Sequence, residues 1–139
     1  MNGYIKGLSV ALVLALGACA SNREFRERQD ATLAQFEAHA GQPVEQIRTF
    51  MGIDRWQALA PDKVVIWTSV NRAWLLTLRA PCSGLEFQQT IGISSNNNII
   101  DRRFDKIYFE NQVCFFSQIQ PVDYKALKQE RRAAKEDAP

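Results

Sequence analysis

The chain reads as mainly β: a small antiparallel barrel or sandwich with an N-terminal helical spacer and a short C-terminal helix. Three observations predict this. Short runs of β-branched and aromatic residues, separated by turn signals, follow one another from Val44 to Val122. A polar stretch rich in helix formers precedes them and a charged stretch follows. The length left after an apolar leader suits one domain with one modest core.

The leader comes first. Met1–Lys6 carries one positive side chain, Leu8–Leu16 is apolar apart from Ser9, and Gly17-Ala18 supplies two small residues. That order is the layout of a secretory signal. The apolar run is about half of the ~18 residues a membrane-spanning helix needs. Leu16-Gly17-Ala18-Cys19 resembles the bacterial lipobox, an aliphatic residue and two small ones before a cysteine. The resemblance implies lipidation of Cys19, with palmitate among the acyl chains, and cleavage before it. At about 0.8 kcal/mol per buried methylene, two or three acyl chains anchor a protein durably. Ala20 and Ser21 follow, with no Asp beside the cysteine, which in such lipoproteins goes with outer-membrane sorting. Residues 1–18 are thus expected to be the signal, and 19–43 the lipidated cysteine and spacer.

In the spacer, Asn22–Ala40, the residues Phe25, Leu33 and Phe36 fall near one helical stripe before Gly41-Gln42-Pro43 ends the pattern. The expectation is a solvated helix packing lightly on its own domain; docking on a partner or on lipid is the alternative. The β-rich domain spans 44–122. Ile47–Phe50 begins it and Trp56–Leu59 continues after Gly52. Ala60-Pro61-Asp62 turns the chain into Lys63–Ser69, and Val70-Asn71-Arg72 turns it back into Ala73–Arg79. In that last run Trp74, Leu76 and Leu78 share one face and Ala73, Leu75 and Thr77 the other. Apolar residues on both faces suggest a central, covered strand.

Pro81-Cys82-Ser83-Gly84 breaks the sheet. Strands are expected at Phe87–Ser94 and Ile99–Arg103 around the polar loop Ser95–Asn98, then at Phe104–Phe109 and Val113–Gln120 around Glu110-Asn111-Gln112. Asp123 can cap a short helix from Tyr124. Beyond Leu127 no apolar stripe persists, and residues 123–139 read as a short helix and a frayed, charged tail.

Three cysteines are an odd count until Cys19 is assigned to lipid. Cys82 and Cys114 then form an even pair in an oxidising compartment, read as a structural disulfide. Closing that loop contributes about 3–4 kcal/mol on the chain-entropy model. A redox pair or half of a metal site are the competing readings, but the spacing is not C-x-x-C and His39 is the only histidine. No metal site or cofactor is expected.

The precursor's net charge of +2 includes Lys6, and no concentrated basic face points to nucleic acid. Histidine-assisted nucleophilic catalysis is implausible, because no histidine follows Val44. A carboxylate pair could serve glycoside hydrolysis, with Asp54, Asp62, Glu86, Asp101, Asp105 and Glu110 available. Turns and strand edges explain the same residues, and no catalytic residue is assigned. For binding, Trp56, Trp67 and Trp74 offer more indole than a small core requires. Arg72, Arg102 and Arg103 lie at turns or strand ends. The candidate binding face is Trp56, Arg72 and Arg103.

Finally, Ile47 to Leu127 resembles a family of uncharacterised lipoproteins from proteobacteria. The residues carrying the resemblance include Ile47, Phe50, Trp56, Val64-Val65-Ile66-Trp67, Trp74-Leu75-Leu76-Thr77-Leu78 and Cys82. Leu85, Ile91-Gly92-Ile93, Phe104-Asp105, Cys114 and Ile119-Gln120-Pro121-Val122-Asp123 complete it. The spacing of the two cysteines between these apolar runs is its most specific part. The resemblance implies one compact domain and supplies no activity. The expectation is a membrane-anchored periplasmic lipoprotein, a non-enzymatic binding or structural module of the envelope with an envelope protein or glycan as partner. A small carboxylate hydrolase is the alternative.

Overall fold

The computed structural model describes residues 21–139, so the leader and the Cys19 assignment lie outside the described residues. Residues 21–38 form helix α1. Eight strands follow: β1 (Gln46–Arg48), β2 (Arg55–Ala60), β3 (Lys63–Ser69), β4 (Arg72–Leu78), β5 (Gly92–Ile93), β6 (Ile99–Asp101), β7 (Lys106–Phe109) and β8 (Gln112–Val122). A 3-10 turn at Leu85–Phe87 links β4 to β5, and helix α2 (Tyr124–Glu136) comes last. Six strands make a curled antiparallel sheet, a half-barrel in the order β2-β3-β4-β8-β7-β5. Strands β1 and β6 pair as a separate antiparallel ribbon.

Side-chain alternation along β3 and β4 divides the apolar residues into two cores. Val64 and Ile66 of β3, with Leu76 and Leu78 of β4, face the hollow of the half-barrel. The ribbon covers that hollow with Ile47 and Ile100, and the 3-10 turn adds Leu85. Val65, Trp67, Ala73 and Leu75 face the other way, under Phe36 of α1 and Tyr124 and Leu127 of α2. The two-faced apolarity of β4 arises because it is a central strand, flanked by β3 and β8 and covered on both sides. Cys82 and Cys114 are bonded, tying the corner after β4 to the start of β8.

Four expectations change. The spacer helix does not pack lightly: Phe36 is 1% exposed and meets the rings of Trp67 and Tyr124. Burying such a side chain is worth about 1.5–3 kcal/mol. Phe25, on the same predicted stripe, is 62% exposed, so only the C-terminal half of α1 packs.

The strand expected at Phe87–Ser94 contracts to the two residues of β5, and Phe87 is exposed. Here Gln88, Gln89 and Thr90 offer no apolar alternation to bury.

The strand expected at Ile99–Arg103 ends at Asp101 and pairs with β1 instead of joining the main sheet. Asp101 and Asp105 close a tight turn there: the Asp101 N–H donates to Asp105 Oδ2 (2.7 Å) and the Arg103 N–H to Asp101 Oδ1 (2.8 Å).

The tail beyond Leu127 is helical to Glu136. Asp123 caps the helix through the Ala126 N–H (3.0 Å), and the rest is rich in Ala, Lys, Arg and Glu. Arg131 donates to Gln35 (2.9 Å) and stacks over the Phe36 ring, while His39 meets Glu130 (2.6 Å). These contacts set α1 and α2 antiparallel, which a reading of apolar stripes alone misses.

A cationic groove as candidate functional site

Helix α1 ends against the last residues of β8. Ala40 bridges Val122, and the Gly41 N–H donates to the Pro121 carbonyl (2.7 Å). Across β8, Ala73 and Trp74 of β4 pair with Val122 and Pro121. Arg72 therefore stands at this end of the sheet, just after the β3–β4 turn. Arg48, the last residue of β1, reaches the same place from the ribbon.

Together Arg48, Asn71, Arg72, Ala73, Trp74, Pro121 and Val122 line a cavity of about 340 Å³. A second cavity of about 330 Å³ adjoins Arg48 and is lined by Thr49, Phe50, Asn97, Asn98 and Ile99. The left-handed backbone of Asn97 (φ 52°) and Asn98 (φ 60°) turns the chain there, and the Asn98 carbonyl accepts the Thr49 N–H (2.8 Å). Asn tolerates this conformation better than most side chains.

Electrostatically the groove is one-sided. No carboxylate lines either cavity. Neither the Arg48 nor the Arg72 side chain has a hydrogen-bond or ion-pair partner among the described residues, though both backbones pair within their strands. Just beyond the other end of the same ribbon, Arg102 is held by Glu45 (2.9 Å), so arginines near an acid here do pair. Lys128 adds a further cation at the rim by donating to Asn71 (2.6 Å). Trp74, whose indole N–H is satisfied by Thr68 (3.1 Å), lends the groove an apolar wall together with Pro121. Phe50, which lines the second cavity, and the next residue, Met51, are 93% and 94% exposed, the most exposed large apolar side chains among the described residues.

The three residues expected to form a binding face do not share a cavity. Arg72 lines the groove. Trp56 packs partly against the inner core and lines a different cavity with Glu86 and Gln88. Arg103 lies 3.8 Å from Asp101 and 4.0 Å from Glu45, with its guanidinium 5.3 Å from the Phe104 ring. Trp67, the third indole, is core, with Arg55 stacked 4.4 Å over it. Sequence reading missed Arg48 and the Phe50-Met51 tip. The signal was present: two large apolar residues directly before Gly52 break the strand alternation in a turn.

Two of the candidate carboxylates, Asp101 and Asp105, have structural duties. Asp105 Oδ1 accepts the Ser94 hydroxyl (2.6 Å), and Ser94 Oγ accepts the Lys106 N–H (3.0 Å), which locks β5 to β7. Asp101 Oδ2 accepts from Gln46 (2.9 Å). That amide, then the Arg103 N–H, hold the Asp101 carboxyl below its usual range, against the opposing effect of burial. Among the described residues no group of three His, Cys, Asp or Glu side chains could hold a metal, and no helix is long and apolar enough to cross a membrane.

Fold and groove define a class: an antiparallel half-barrel, filled by a ribbon and backed by two helices, with an arginine-lined groove at one end. The chain belongs to a family of unknown function, DUF6491, whose model matches residues 4–138. No curated protein and no solved structure matches it.

Proposed function

We propose that this is a lipoprotein of the cell envelope. It is anchored through lipid on Cys19 at the periplasmic face, most simply of the outer membrane, and its β unit is a non-catalytic binding module. The disulfide supports the address: with Cys82 and Cys114 joined, Cys19 is the one cysteine left for acylation, at the end of a lipobox-like run. The observation that carries the binding reading is the unpaired Arg48 and Arg72 on adjoining cavities without a carboxylate. Two guanidinium groups lining one cavity without a counter-charge offer an anionic ligand charge and paired hydrogen-bond donors. The hydrogen-bonding duties of Asp101 and Asp105 favour binding over carboxylate-based hydrolysis.

The test is site-specific photo-crosslinking in cells making the full chain. A photoreactive residue replacing Phe50 should give a discrete adduct, weakened by Arg48→Ala together with Arg72→Ala. Adducts no stronger than from the same residue at Lys125, on α2, would overturn the binding reading.

A further inference from the structure

We infer that the groove takes an acidic, apolar peptide segment of another envelope protein, and not the headgroups of the membrane that holds the chain. This rests on the binding reading above and adds the partner's chemistry.

Position argues first. The groove adjoins the C-terminal end of α1, where Ala40 and Gly41 meet Val122 and Pro121. The lipid is expected at the other end. The 18 described residues of α1 span about 27 Å at 1.5 Å per residue. The Debye length in physiological salt is about 8 Å, so headgroups at the foot of an upright helix are screened from the groove. Nor is the foot built to lie flat on lipid. Residues 21–28 are exposed, Phe25 is the one large apolar side chain, and Arg23–Glu27 and Arg28–Glu24 pair along the surface. An interfacial helix needs a continuous apolar face.

Composition argues second. Arginine, tryptophan and methionine are the residues over-represented where protein surfaces meet, with aromatic and Arg anchors carrying most of the energy. Arg48, Arg72 and Trp74 line one cavity, and Arg48 also lines the adjoining one with Phe50, which the exposed Met51 follows in the chain. A planar guanidinium matches a carboxylate in a two-bond fork. The exposed Phe50-Met51 tip asks for an apolar surface next to that carboxylate. A bare inorganic anion satisfies the arginines and leaves the tip in water. An acidic peptide with interspersed large apolar residues satisfies both.

The experiment uses the full lipidated chain in nanodiscs of neutral phosphatidylcholine, titrated by calorimetry. The probe is an octapeptide alternating glutamate and leucine; the comparisons are the same peptide with glutamine for glutamate, sodium phosphate, and nanodiscs containing phosphatidylglycerol. The acidic peptide should bind saturably. Binding should fall at least tenfold with the glutamine peptide, with Arg48→Ala and with Arg72→Gln, and should also fall with Phe50→Ser. Unchanged melting of each variant separates lost contact from lost fold, and a variant that melts early is replaced by Arg48→Gln or Arg72→Ala. No binding of the acidic peptide, or equal binding of the glutamine peptide, overturns the inference. So does the same arginine dependence appearing with phosphate or anionic lipid instead. In each of those cases a Phe50 adduct that persists in cells leaves the binding reading standing, whereas its loss removes both.

Discussion

The Phe36 ring meets the Trp67 indole edge-on, with centroids 5.9 Å apart and planes at 80°. This contact joins α1 to the central sheet, and Tyr124 of α2 completes the cluster by stacking on Phe36 and lying edge-on to Trp67. The outer core is thus built by three separate stretches of chain, two of them outside the run of strands.

Phe36→Ala should destabilise the protein by about 3–5 kcal/mol, through lost burial and the cavity left behind. Phe25→Ala, at an exposed position, should stay within about 0.5 kcal/mol. Urea denaturation of both variants checks this. Equal, small effects would mean that α1 is only a tether.

Removing residues 128–139 should lower stability by roughly 1–2 kcal/mol. The deletion takes away the Arg131 contacts with Gln35 and Phe36 and the His39–Glu130 contact, and it leaves Leu127 at a fraying helix end. Thermal melts of the intact and shortened chains provide the comparison. Unchanged melting would show that helix α2 beyond Leu127 adds nothing to the core.

Cys82 and Cys114 should be recovered in one crosslinked peptide under thiol-blocking, non-reducing digestion. Replacing both with alanine should cost about 3–4 kcal/mol, because the bond closes a loop of sequence separation 32. Free thiols at both positions in protein isolated from the envelope would contradict the pairing.

Asp101 should make stability pH-dependent with a defined sign. The Gln46 amide and the Arg103 N–H hold its native pKa below the reference value of 3.8. A carboxyl depressed in the native state contributes stability above its unfolded pKa, and loses it as pH falls through the native value. Asp101→Asn should therefore be less stable than the parent at neutral pH, with the gap closing in acid below about pH 3.8. Paired denaturation curves across pH 2–7 measure it. A gap that is constant with pH would assign the effect to shape instead of charge.

Cys19→Ala should abolish palmitate incorporation and leave the precursor poorly processed. Metabolic labelling reads this directly, and label persisting on the variant would refute the lipoprotein reading.

Much of this protein is legible in the sequence because it depends on local chemistry. The apolar, β-former-rich runs Lys63–Ser69 and Ala73–Arg79, the Ala60-Pro61-Asp62 turn, and the Asp123 cap each declare themselves within a few residues. The even pair of cysteines left after Cys19 has only one way to connect. The antiparallel β class follows from these alone. What only the tertiary structure decided depends on residues far apart in the chain. That β6 leaves the sheet to pair with β1 is settled by Ile47 and Ile100 filling the hollow together, a choice no local pattern encodes. That Phe36 is core while Phe25 is solvent depends on where the sheet and α2 lie beneath α1. Arg48 and Arg72 are unremarkable as neighbours of a strand end and a turn. They become a groove because the ribbon folds over the half-barrel and sets both beside Trp74 and Pro121, with no carboxylate carried along.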